Sequence, residues 1–91
     1  REAVYESDEI ISRMAVTAGS SLDGTTLGAT EVKTETGMRV IAIRRTGDGR
    51  DGERTDWDIS PGPETPLRAG DIIIAKGTRA GAERLAALAG T

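Results

Sequence analysis

The chain has 91 residues, 36% of them hydrophobic, which is enough apolar side chain for one modest core and not for two. Its 12 basic and 15 acidic residues give a net charge of −3, far from the basic footprint of a duplex binder, so nucleic acid is not an expected partner. With no Cys and no His, thiolate and imidazole metal sites, disulfides and histidine-activated nucleophiles are excluded, and no cofactor is expected.

The apolar runs are at most five residues long, as at 72–75 (four) and 85–89 (five), against the roughly 18 that a membrane span needs. Direct membrane insertion is therefore not expected, and the first residues, REAVYE, lack the apolar core of a signal peptide, which makes the cytoplasm the default location. Only Tyr5 and Trp57 are aromatic, so the core must be aliphatic. The chain opens at Arg1 in mid-pattern and reads as a domain of a longer protein.

Residues 1–9 are charged, free of Gly and Pro, and too short for a helix stable by itself; they read as the end of a preceding helix or a linker, with the domain proper at 10–91. From Ile10 an alternation begins, with Ile10, Met14 and Val16 to one side and Arg13 and Thr17 to the other, predicting a first strand that ends at Gly19-Ser20-Ser21. Leu22, Leu27 and Val32 then surround a short helical segment opened by Thr25 or Thr26 and made marginal by its glycines.

Met38 to Arg45 is the clearest strand. Met38, Val40 and Ala42 share one side, Ile41 and Ile43 the other, so both sides are expected to be at least partly covered and the strand central. Residues 46–53, with three glycines and four charges, read as the exposed turn of a hairpin. In the returning strand Thr55, Trp57 and Ile59 are expected on a buried side and Asp56 and Asp58 on a wet one. Pro61-Gly62-Pro63 ends it, Ile72 to Gly77 forms the last strand, and Thr78 caps a closing helix whose Ala82, Leu85, Ala86 and Ala89 line one face. The expected fold class is α+β, a small mixed β-sheet in the order β-α-β-β-β-α with its helices packed on one side.

Few residues carry chemistry. Gly47-Asp48-Gly49-Arg50-Asp51-Gly52 has the G-x-G-x-x-G spacing, but a period-two strand follows it where a dinucleotide site needs a helix N-terminus, so a solvated turn is expected. Asp56 and Asp58 are spaced for paired-carboxylate work but lie on a wet strand without an apolar wall, and Asp71 after Gly70 reads as a turn residue. Arg39, Arg44 and Arg45 are the candidate binding residues, because a central strand bearing guanidiniums can offer planar, bidentate donors to phosphate or carboxylate oxygens; ordinary salt bridging is the plainer alternative. With no His or Cys, only exposed carboxylates are left to shuttle protons, so an enzyme is not expected.

Two segments are similar to a known module. The first is Gly19-Ser-Ser-Leu22-Asp-Gly24-Thr-Thr26-Leu27-Gly28, running on to Gly37-Met-Arg-Val-Ile-Ala-Ile-Arg-Arg45; the second is Pro61-Gly-Pro63 followed by Leu67-Arg-Ala-Gly70-Asp71-Ile-Ile-Ile-Ala-Lys-Gly77. Together they resemble, over about residues 10–90, the TrkA-C domain, the C-terminal lobe of the regulator-of-K⁺-conductance (RCK) family. The turn at 46–53 is longer and more acidic than is usual there, and residues 1–18 resemble the junction where a PhoU-like helical region precedes such a domain.

The resemblance implies a non-enzymatic regulatory domain of a potassium channel or transporter system. It implies a homodimer that in some members takes a small nucleotide, such as a cyclic dinucleotide, at the dimer interface. The family's Rossmann lobe is not in this chain, so NAD and ATP are not carried over. A dimer is also favoured physically, since a domain this small gains by burying further apolar surface, with the closing helix or the strand at 10–18 as the surface. A twofold axis would bring two copies of the arginine cluster together around a symmetric dianion. The alternative function is a purely structural dimerisation module without a ligand.

Overall fold

The computed structural model describes residues 8–46 and 55–91. Within them lie β1 (Ile10–Ala15), β2 (Thr25–Thr26), α1 (Leu27–Thr30), α2 (Val32–Thr36), β3 (Arg39–Thr46), β4 (Thr55–Ile59), β5 (Pro66–Leu67), β6 (Ile72–Gly77) and α3 (Arg79–Ala89). Four strands form one sheet in the order β1-β6-β3-β4, and the two-residue strands β2 and β5 pair separately. Every pairing is antiparallel, which corrects the expectation of mixed strand directions. The physical reason is that neighbouring strands here run in opposite senses, so no parallel crossover is needed.

The α+β class and the packing of helices on one side are as expected. Ile73 of β6 faces Met14 of β1 and Ile43 of β3 in register, and these three side chains meet Leu85 and Ala89 of α3 in an aliphatic core with Val16, Leu22, Val32, Met38, Leu67 and Ala75. Burying each large aliphatic side chain contributes about 1.5–3 kcal/mol against the entropy of ordering it. Thr78 caps α3 by accepting the Gly81 N–H at 3.0 Å, and the helix end is tied to the exit of β1, where Thr17 donates to the Ala89 carbonyl through both its N–H (2.9 Å) and its hydroxyl (3.0 Å).

Two features depart from simple alternation. The register of β3 on β6 shifts between Val40 and Ala42, so Ile41 is an extra residue in a β-bulge and the inward side passes from Val40 to Ile43. The second concerns β4, where Trp57 and Ile59, expected to be buried, are 46% and 67% exposed. Trp57 pairs with Arg44 and Ile59 with Ala42, which places both on the side of the sheet that carries no helix. Alternation correctly grouped these residues, but it does not say which side of a sheet is covered.

Candidate functional site

The start of β3 lies beside a groove whose walls come from distant parts of the chain. Thr26 caps α1 by accepting the Ala29 N–H, and Leu27 and Gly28 donate their amides to the carbonyls of Thr65 (2.8 Å) and Pro63 (2.7 Å). This brings the proline loop hard against α1. A Cβ on Gly28 would lie 2.8 Å from the Cβ of Pro63 and 2.9 Å from its carbonyl oxygen, so the approach depends on glycine here. Glu31, at φ 52°, ends α1 and starts α2 in a left-handed conformation, turning Val32 inward and leaving Lys33 exposed.

The resulting cavity is about 270 Å³. Leu27, Met38, Val40, Pro61 and Pro63 supply its apolar lining, and Lys33, Arg39 and Glu31 supply its charge. An apolar lining with a few converging charged groups suits a flat, anionic organic molecule, its rings on the aliphatic and proline surfaces and its phosphates toward the cations. A larger hollow of about 470 Å³ runs along β1 beside α3, lined by Ile10, Ser12, Met14, Arg79 and Glu83 among others. It follows the open edge of a strand and has no such convergence of three chain segments.

The three arginines do not come together. Arg39 lines the groove and is exposed. Arg44 points to the helix-free side of the sheet, its guanidinium 5.9 Å from the centre of the Trp57 ring, a cation–π distance. Arg45 points to the opposite side and donates to Asp71 Oδ2 at 3.0 Å and to the Pro66 carbonyl at 2.9 Å. Asp71 is buried and also accepts the Arg68 N–H at 2.9 Å, so this pair fastens the turn before β6 to the sheet, in keeping with the turn role read from the sequence.

Asp56 and Asp58 sit on the far strand, exposed and half-buried respectively, and among the described residues no cluster of His, Cys, Asp and Glu could hold a metal ion. The G-x-G-x-x-G stretch at 47–52 lies outside the described residues. Of the residues lining this groove the sequence names Arg39 as a candidate, and it singles out neither Lys33 nor the proline wall. One of only two lysines, Lys33 stands in a segment whose glycines made it look marginal, and Pro61-Gly62-Pro63 was read as a strand terminator. The signal that could have found the site was Gly28, a glycine inside a helical start with no turn to explain it.

The chain matches the TrkA-C domain family over residues 11–90. No curated protein sequence matches it. Among solved structures, the RCK_C domain dimer of Streptococcus agalactiae BusR in complex with c-di-AMP superposes with a TM-score of 0.73 at 24% identity, covering 87% of this chain and 88% of that one. The RCK C domain of the potassium transport protein KtrA in complex with c-di-AMP gives 0.68 at 25% identity, over 87% and 81%. The GsuK channel bound to NAD gives 0.68 at 25%, over 89% of this chain and 13% of the channel chain.

Proposed function

This chain belongs to the TrkA-C domain family, and on that premise we propose that it is a non-enzymatic, dimerising domain that takes a small dianion of the cyclic-dinucleotide class in the groove between α2, the start of β3 and the 61–63 loop. The observation that carries the reading is the pairing of an apolar floor with two flanking cations, Lys33 and Arg39. KtrA, of the same fold, is a potassium transport protein whose RCK C domain binds c-di-AMP, which supports this ligand class.

The groove's 270 Å³ falls just short of the roughly 300–1,000 Å³ of ordinary small-molecule sites. Half a site in each copy, closed over a ligand with two like halves by a twofold axis, accounts for that size. Of the three sequence candidates, Arg39 is assigned to the ligand, Arg44 to the open side of the sheet and Arg45 to the Asp71 turn. Ligand binding would shift the relative orientation of two copies and so act on an attached protein. A potassium channel or transporter on the cytoplasmic side of the membrane is the output that GsuK and KtrA suggest, with residues 1–9 leading into the regulatory domain at 10–91. BusR was solved with promoter DNA, so domains of this fold also serve other outputs. Among the described residues no helix is long and apolar enough to cross a membrane.

Titration calorimetry with c-di-AMP tests the reading. One ligand per two chains is expected, and Lys33→Ala or Arg39→Ala should weaken binding about tenfold or more, since a charge-assisted hydrogen bond contributes roughly 1.5–3 kcal/mol. No heat with folded wild-type protein would abandon the ligand and leave the second reading, a dimerisation module alone. The edge of β1, unpaired among the described residues and with Ile11 64% exposed, is the observation that favours that second reading.

A further inference from the structure

The side of the four-stranded sheet that carries no helix has an unusual composition. In register across it lie Ile11, Arg13 and Ala15 of β1, Ile72, Ile74 and Lys76 of β6, Ala42 and Arg44 of β3, and Trp57 and Ile59 of β4, with Arg39 at the corner nearest the groove. All the large hydrophobic residues that are exposed among the described residues, Ile11, Trp57 and Ile59, are here. The charges on this side are almost all positive. Arg13, Arg39, Arg44 and Lys76 face one carboxylate, Glu9, which lies 3.7 Å from Lys76. Among the described residues four cations against one acid give this side +3, in a chain whose total is −3.

We propose that this open side of the sheet is a docking surface for an acidic amphipathic helix of a partner protein. Sheets in layered folds bury an apolar side against another element, and the helices among the described residues cover only one. The missing layer has two requirements, an apolar stripe to cover Ile72, Ile74, Ile59 and the Trp57 ring, and carboxylates beside it to meet Arg13, Arg44 and Lys76. An acidic amphipathic helix supplies both, and its width of about 10 Å matches the roughly 10 Å from β6 across β3 to β4 at about 4.8 Å per strand.

Two other occupants fit less well. A second copy would set these cations against their own equivalents. An anionic membrane would meet the cations, but it presents its charged headgroups as a continuous layer, so Ile72, Ile74 and Ile59 would meet charge where they need apolar cover.

Trp57 is the only tryptophan, so its emission reports directly on cover over this surface. The probe is a synthetic 14-residue helical peptide with leucines on one face and glutamates flanking them. Adding it should blue-shift Trp57, and high salt or Arg13→Glu/Arg44→Glu should weaken the response about tenfold, two charge pairs at around 0.7 kcal/mol each. The doubly substituted protein must keep the wild-type circular dichroism spectrum; should it unfold, Ile59→Glu, at a 67% exposed position, serves in its place. The proposal is overturned by no shift up to about 1 mM peptide, an affinity limit near −4 kcal/mol, or by an equal response to the lysine version of the peptide. It is also overturned by a blue shift on adding phosphatidylglycerol vesicles without one from the peptide, which would assign the surface to a membrane, or by one on raising protein concentration alone, which would assign it to a second copy.

Discussion

Asp23 accepts the Gly19 N–H through Oδ2 at 2.9 Å and the Ala69 N–H through Oδ1 at 3.0 Å, joining the loop after β1 to the turn before β6. These amides, Gly19 first and Ala69 second, hold its carboxyl below the usual range despite a small opposing effect of burial. A carboxylate lowered in the folded state adds stability that is fully present above its unfolded value, near about 3.9, and is lost as pH falls through the folded value. Asp23→Asn should therefore be less stable than wild type by a constant margin above about pH 5, and the margin should shrink toward pH 3 as wild type loses its carboxylate. Urea melts at pH 7 and pH 3 measure it, and an equal margin at both would contradict the assignment.

At the scale of elements, α3 crosses the end of α2 so closely that Gly81 has no room for a side chain. Its added Cβ would lie 2.6 Å from the Thr36 carbonyl oxygen and 3.0 Å from Met38 Sδ. Gly→Ala inside a helix ordinarily stabilises by about 1 kcal/mol. Here the obstacle is backbone, which cannot swing aside as the Met38 side chain can, so Gly81→Ala should destabilise by about 1–3 kcal/mol in denaturant unfolding. A stabilised variant would show that the two helices separate freely. The strand β6 and the helix α3 were legible because a bounded apolar run and a 3.6-residue period each encode one element without help from elsewhere. The split between α1 and α2 was not legible, because Glu31 adopts φ 52° to suit the groove wall and carries no local signal for it. Nor was the bulge at Ile41, since a register shift belongs to two strands and appears in the sequence of neither.

For the whole molecule, what the sequence withheld was the sidedness of the sheet. Arg39 could be named as a binding candidate from its strand alone, but Lys33 joins it only through the fold, and Trp57 and Ile59 look like core residues until the register places them opposite the helices. Stability should follow that sidedness and not hydrophobicity. Ile73, fully buried between Met14 and Ile43, should lose about 0.5–1.5 kcal/mol on Ile73→Val, a single methyl group in a packed core. Ile59, 67% exposed, should stay within about 0.5 kcal/mol of wild type on Ile59→Thr, although more apolar surface is removed and a hydroxyl added. Urea melts at two protein concentrations separate the cases: a loss at Ile59 as large as that at Ile73 would mean that the open side is covered in the free protein, and a loss that grows with concentration would identify another copy as the cover.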